Sequence, residues 1–580
     1  MWLNTRRIVS MQQSWLRRFA GSIVALVVLF PLAVHAQSGK KEWDLKPVTT
    51  ARLLNGTDDP SSWLMYGGNY QNWRFSPLKD INTKNVKNLQ VAWIFQTGIP
   101  GQLETAPIVA DGIMYVVAAY NHVYALDAAT GEPIWKYDHP LPDDLRICCG
   151  PTNRGVALSG DKVFVATLDA RMVALDRKTG KVIWNVEMDD YRVGYSSTAA
   201  PLVIRKNVII GIAGGEYGVR SWIDAYDVET GKRTWRRYTI PSEGEKGVET
   251  WAGDSWKTGG GPAWVTGSYD QKADILYWAT GNPSPDWNGD TRKGDNLYTN
   301  SVLALNPDTG EMKWYFQFTP HDEWDYDGNT GMFLVDVNRS GAMVPALAQP
   351  NRNGFVYVLD RNNGKYLHGS QYVEQLNWAK GLDEKGRPIV DPKYLPVEGG
   401  NKEYICPGNV GGQNGSYTAA YSPQTKLMYV PVIESCGKME KAVSTFIQGI
   451  PFWGGGPGAT QADDQSSYGH LSAIDPTTGA IKWRYKDDYP LVGGTLATAG
   501  GLVFTGNQMG YAMAFNDATG EVLWKSQTGS TVRGQPTAYK IGGRQYVAVP
   551  SGGGGLAVTI VGENPLGTKG SAIIVYALPR

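Results

Sequence analysis

Short runs of β-branched and aromatic residues with interleaved polar positions recur along the chain, as in "GIMYVVAAY" (112–120) and "KVFVATL" (162–168). Successive side chains of such runs point to opposite faces, so they predict strands. Long apolar helical segments are missing from the body of the sequence. Between the runs a longer pattern returns: Ala, an apolar residue, Asp-x-x-Thr-Gly, three residues, Trp. It appears as "ALDAATGEPIWKY" from Ala125, "ALDRKTGKVIWNV" from Ala174 and "AYDVETGKRTWRR" from Ala225. It appears again as "ALNPDTGEMKWYF" from Ala304, "AIDPTTGAIKWRY" from Ala473 and "AFNDATGEVLWKS" from Ala514. A worn copy, "VLDRNNGKYLHGS" from Val358, has His368 in place of Trp, and "NLQVAWIFQTG" supplies a further closing Trp, Trp93.

Each copy reads as strand, tight turn, strand. Trp93, Trp135, Trp184, Trp235, Trp314, His368, Trp483 and Trp524 mark eight units. Units of roughly 40 to 50 residues with four short strands are propeller blades. The prediction is an all-β, eight-bladed β-propeller whose repeated Trp docks between neighbouring blades and carries no chemistry. The last strand, in "AIIVYALPR" (572–580), is expected to pair with an early strand and close the ring. Two intervals are too long for one blade, Trp235 to Trp314 and His368 to Trp483. Insertions in loops are where function is sought.

Composition adds limits. Lys+Arg and Asp+Glu are equal at 55 each, which recommends neither nucleic acid nor an anionic membrane surface as partner. The 70 Gly and 21 Trp fit many turns and large aromatics between sheets. At the N-terminus, Arg6, Arg7, Arg17 and Arg18 precede an apolar run (19–34) and a small residue, Ala36. This reads as a signal peptide over 1–36, ahead of a propeller over 37–580, and places the mature chain in an oxidising, periplasmic setting. Four cysteines then suit two disulfides, in three pairings.

"CCG" (148–150) is the rarest feature. Cys148 and Cys149 either bond each other in a strained ring, which usually marks a functional site, or pair elsewhere, for instance with Cys406 and Cys436. Glu216 stands beside Gly214 and Gly215, which would let backbone approach a ligand closely. Asn282 lies in "ATGNPSPDW". "HDEWDYDG" (321–328) packs Asp322, Glu323, Asp325 and Asp327 around two aromatics. In extended backbone Asp325 and Asp327 would point the same way. With Glu216 and Asn282 they would form an all-oxygen site for a hard cation.

The propeller copies with "CCG", "GGEYGVR", "GGGPAW", "GNPSP" and "TPHDEWDYDG" resemble the quinoprotein alcohol dehydrogenases that use pyrroloquinoline quinone (PQQ). The likeness covers essentially the whole mature chain. It implies that a vicinal Cys148–Cys149 disulfide covers one face of PQQ and Trp264 the other. Glu104, Arg154, Thr198, Arg352 and Asn414 match positions that bond the cofactor's rim, with Gly214 and Gly215 alongside. Glu216, Asn282 and Asp325 match the metal ligands, and Asp325 the catalytic base. Asp327 stands where the calcium enzymes have a small uncharged residue, as in the lanthanide-dependent branch. A fourth ligand with one more negative charge favours a lanthanide(III) ion over Ca²⁺. The implied reaction is oxidation of a primary alcohol to an aldehyde, with electrons passed to a cytochrome c, and the family suggests a homodimer. Three positions depart from the pattern: Pro262 for Thr and Ala213 for Ser, which removes two polar contacts to PQQ, and Val492 for Trp, which is expected to leave room beside the ring. Cys406 and Cys436 match the family's second disulfide. Two rivals are the same enzyme with Ca²⁺ and a non-catalytic periplasmic propeller scaffold.

Overall fold

The computed structural model describes residues 42–460, 467–554 and 570–580, so the expected signal segment (1–36) lies outside the described residues. By its internal contacts the chain divides into Met1–Trp43 and Asp44–Arg580, and the fold below is that of the second unit. Its strands form eight sheets of four or five strands, with two additional two-stranded ribbons. Blade 1 runs from Ile108–Ala110 to Pro133–Asp138, blade 2 from Ala157–Ser159 to Val182–Glu187, and blade 3 from Leu202–Ile204 to Arg233–Tyr238. Blade 4 runs from Ser268–Asp270 to Met312–Gln317, and blade 5 from Phe333–Arg339 to Tyr366–Gln371. Blade 6 runs from Ala420–Ser422 to Ile481–Asp487, and blade 7 from Leu496–Thr498 to Val522–Gln527. Blade 8 closes the ring. Its Thr537–Ile541, Arg544–Gly552 and Ser571–Ala577 are completed by Gln90–Gln96, from the other end of the chain.

The repeat has a direct packing cause. In the six full copies the Ala of one strand lies opposite the Trp of the next, as in Ala125 with Trp135, Ala304 with Trp314 and Ala514 with Trp524, whereas Val358 faces His368 and Val575 faces Trp93. A small residue across from the indole leaves it room to turn toward the next blade. There it meets the Gly of that blade's turn. A Cβ on Gly131 would sit 2.5 Å from Trp93, one on Gly180 2.6 Å from Trp135, and one on Gly310 2.5 Å from Trp235. These glycines also have φ of 80°, 71° and 71°, a backbone region that disfavours a side chain. Indole Nε1 of Trp135 donates to Arg177 O at 2.9 Å, and Trp235 donates to Pro307 O at 3.1 Å. His368 keeps the arrangement without the bulk, its Nε2 lying 2.9 Å from Pro476 O. The repeated Trp therefore binds blade to blade.

The two long intervals are insertions into blades 4 and 6 and the connections around them. The first spans the stretch between Arg233–Tyr238 and Ser268–Asp270, and residues 280–300. The second spans residues 372–419 and 435–467, the latter carrying the ribbon Gly437–Lys441 with Gly455–Thr460.

Candidate active site

One cavity gathers residues from nine connections of the chain. It is lined by Gln102, Cys148, Cys149, Arg154, Thr198, Gly214, Glu216, Trp264, Asp325, Asp327, Arg352, Asn414 and Arg533, among others. Its empty volume is about 760 Å³, counting the open space at its mouth. Every one of these residues lies in a connection between strands. The blades form a rigid ring and the loops supply the chemistry. Of the expected residues, Glu104, Gly215 and Asn282 are not in the lining; Glu104 pairs with Arg154 and Asn282 N donates to Asp327, both of them lining residues.

The segment 321–328 shows how a loop can aim two carboxylates at one point. Asp322 and Glu323 build the loop. Asp322 accepts from Trp324 N and Tyr326 N at 2.9 Å each and from Asn300 Nδ2 at 2.7 Å, and Glu323 accepts from Gly289 N at 2.7 Å. The aromatics fasten it, with Trp324 and Tyr326 stacked and both against Trp378. Asp325 and Asp327 are then free to face the cavity. They converge on Arg352, whose Nη1 is 2.9 Å from Asp327 and whose Nη2 is 3.4 Å from Asp325. The expectation of extended backbone is corrected here. Asp325 has φ of 60° and the segment is a loop, so a turn and not strand alternation brings the two together.

Asn282 and Glu216 complete the group. Asn282 N donates to Asp327 Oδ1 at 2.9 Å, and its Nδ2 donates to Asp286 Oδ1 at 2.8 Å and Pro283 O at 3.3 Å. A carbonyl only accepts, so the amide is oriented with Oδ1 on the other side. That Oδ1 is buried and has no partner. Burial pushes the Glu216 carboxyl up to about 7, with Asp327 adding to the rise. Burial likewise pushes Asp325 and Asp286 well above the usual carboxylate range, and neighbouring carboxylates add to it. Asp327 is raised by burial, against the pull of Arg352. Carboxylates crowded out of water, with an orphaned amide oxygen beside them, are a donor set in need of a hard cation. Asp286 was not anticipated from the sequence; an acidic residue four positions after Asn282 in a Pro-rich turn was the available signal.

The rest of the cavity is cationic and planar. Arg154 Nη1 donates to Thr198 Oγ1 at 2.9 Å, its Nη2 pairs with Glu104 at 2.7 Å, and its guanidinium lies 4.6 Å from the Trp264 ring centroid. Burial alone would raise the fully buried Glu104, yet Arg154 and Arg533 hold it below the usual carboxylate range. Cys148 bonds Cys149, and Cys406 bonds Cys436. The sulfurs of the first pair and the Glu216 carboxylate lie within 4.8 Å of one another. Gly214 and Gly215 have no room for a side chain, since a Cβ on the second would meet the Pro262 ring at 2.6 Å. Ala213 lines the cavity and Val492 does not. Val492 is fully buried with Val410, Tyr417 and Ile433, so the room expected beside it is filled. Arg533 and Gln102 were missed because a lone Arg or Gln in a loop has no motif around it.

Known proteins are similar to this one over most of the chain. A family model described as "PQQ: Glucose/ethanol/alcohol dehydrogenase, beta-propeller domain" matches residues 63–375 and 465–547. The quinoprotein alcohol dehydrogenase PedH of Pseudomonas putida is 40% identical, with 97% of each chain covered. A lanthanide-dependent methanol dehydrogenase of Methylacidiphilum fumariolicum is 39% identical, covering 91% of this chain and 92% of that protein. A solved europium-containing methanol dehydrogenase superposes with a TM-score of 0.85 at 36% identity, covering 91% of this chain and all of the other. With its ring of eight blades and its cavity between carboxylates and arginines, the chain belongs to the PQQ-dependent alcohol dehydrogenase family.

Proposed function

We propose that this chain is an exported alcohol dehydrogenase that uses PQQ with a lanthanide(III) ion, oxidises primary alcohols to aldehydes and delivers electrons to a cytochrome c. The observation that carries the metal assignment is Asp327. It is buried, it shares Arg352 with Asp325, and it receives the backbone N–H of Asn282, whose side-chain oxygen has no partner. Glu216, Asn282 Oδ1, Asp325 and Asp327 would hold the ion. Three carboxylates offset a trivalent charge fully, and attraction grows with the charge product.

Held there by Glu216, Asn282, Asp325 and Asp327, a metal ion would supply Lewis acidity and PQQ a hydride-accepting quinone. Everything else falls to side chains of the chain. Asp325 takes the alcohol's hydroxyl proton, and Arg352 beside it steadies the carboxylate form. Arg154, Thr198, Arg352 and Asn414 hold the cofactor's polar rim, with Glu104 fixing Arg154 from behind. Trp264 and the Cys148–Cys149 pair supply flat surfaces that exclude water. Two disulfides and the Arg-flanked apolar run before Ala36 support export to the periplasm.

A second reading uses Ca²⁺. It is favoured by the fact that both oxygens of Asp327 already accept hydrogen bonds, one from Asn282 N and one from Arg352. Dye-linked alcohol oxidation separates the two, with protein reconstituted with PQQ and either La³⁺ or Ca²⁺, for the wild type and Asp327→Ala. Activity with La³⁺ that the substitution abolishes is expected. Equal or better activity with Ca²⁺, indifferent to the substitution, would overturn the lanthanide assignment and leave the dehydrogenase standing.

A further inference from the structure

Arg533 sits on the connection ahead of Thr537–Ile541, 2% exposed, with its guanidinium at the cavity wall. Its Nη2 donates to Glu104 Oε1 at 2.7 Å, while Nη1 and Nε are buried without an acceptor. Glu104 has little left to offer them. Its Oε1 also accepts from Gln102 Nε2 at 2.7 Å, and its Oε2 faces Arg154 Nη2 at 2.7 Å. One carboxylate thus stands between two guanidiniums, and a positive charge is left over beside the cavity. Buried cationic N–H groups without partners are costly, and an anionic oxygen in the cavity would satisfy them.

We propose that Arg533 is a third cationic anchor for the cofactor, beside Arg154 and Arg352, pairing with one of its carboxylates. This rests on the PQQ reading given above. PQQ is a tricarboxylic acid, and the guanidinium N–H groups that Glu104 leaves unsatisfied on Arg533 offer a partner to one of its carboxylates. The added anchor also offsets the polar contacts that Ala213 and Pro262 do not provide. Hydrogen bonds from a guanidinium to a carboxylate are among the stronger ones and specify orientation as well as charge.

The test is a titration of PQQ into cofactor-free protein, followed by quenching of tryptophan fluorescence. The proteins compared are the wild type, Arg533→Met, Arg533→Lys, Glu104→Gln and the double variant Glu104→Gln/Arg533→Met. A weakening of roughly ten- to hundredfold is expected for Arg533→Met, with part of it recovered by Arg533→Lys. On the Glu104→Gln background the same change is expected to cost at least about tenfold again. Unchanged affinity in Arg533→Met would overturn the proposal. So would a loss seen only while Glu104 is present, because Arg533 would then merely neutralise that carboxylate. Failure of the wild type to take up PQQ would overturn the cofactor reading itself, a result distinct from either. Thermal melts of each variant identify any that misfold, and Arg533→Gln carries the comparison where Arg533→Met does not fold.

Discussion

Asp286 holds the side chain of Asn282 by one hydrogen bond, Nδ2 to Oδ1 at 2.8 Å, and so fixes which way the amide oxygen is turned, leaving it buried without a partner. Groups that orient a metal ligand from behind typically matter 10- to 100-fold in affinity. Asp286→Ala is expected to weaken La³⁺ binding to the cofactor-free protein by roughly tenfold or more. Tb³⁺ luminescence with La³⁺ competition measures it. Wild-type affinity in the variant would show that the amide needs no such partner.

Gly281 leaves the space that Asp327 occupies. A Cβ added there would collide with Asp327 Oδ1 and lie 2.7 Å from Asn329 Nδ2. Gly281→Ala is therefore expected to displace the carboxylate and abolish preference for a trivalent over a divalent ion. Parallel La³⁺ and Ca²⁺ titrations of the variant check this, and retained discrimination would place the third carboxylate ligand elsewhere.

The blade-docking glycines carry stability and no chemistry. Gly310→Ala puts a methyl 2.5 Å from Trp235 at a φ of 71°. Overpacking and left-handed backbone together are expected to cost about 2–4 kcal/mol. Denaturant unfolding measures the loss. PQQ affinity in the folded fraction is expected to stay at its wild-type value.

His470 gives blade 6 a dependence on acid. Its Nε2 lies 2.9 Å from Glu434, its Nδ1 2.9 Å from Ser472 Oγ, and that Oγ accepts from Arg484 Nε at 3.0 Å, with Glu374 paired to Arg484. Burial lowers its pKa from the ordinary 6.5, against the opposing pull of Glu434. The unfolded chain then binds more protons than the folded one just below pH 6.5, so this contribution is complete above that pH and is lost as pH falls. The melting temperature is expected to drop on acidification from neutrality, less steeply in His470→Gln. Identical slopes would assign the acid sensitivity to other groups.

The ring was legible because its cause is local and repeated. Ala125 opposite Trp135, and the Gly180 that receives that Trp, lie within about one unit of sequence. Asp325 and Asp327 were legible as a pair, though their convergence came from a left-handed residue that the spacing did not reveal. Arg533 was not legible. What makes it a site residue is its meeting with Glu104, 429 positions away, which only closure of the ring brings about. Asp286 fell between the two, close in sequence to Asn282 yet meaningful only once the amide had been oriented.

Closure by Gln90–Gln96 against Ser571–Ala577 also sets an order of events in time. A chain made from its N-terminus holds Glu104 long before Arg533, and the strand that joins the two ends is among the last to be synthesised. Arg74 repeats the dependence, its guanidinium donating to Tyr66 O on one side and to Thr495 O and Pro536 O on the other. Contacts so distant form late and slowly. A chain without Ser571–Ala577 would contain every residue that lines the cavity and still have no seal on the ring that holds them. The pairing of Gln90–Gln96 with Ser571–Ala577, and not the appearance of the last residue of the cavity wall, is what seals the ring.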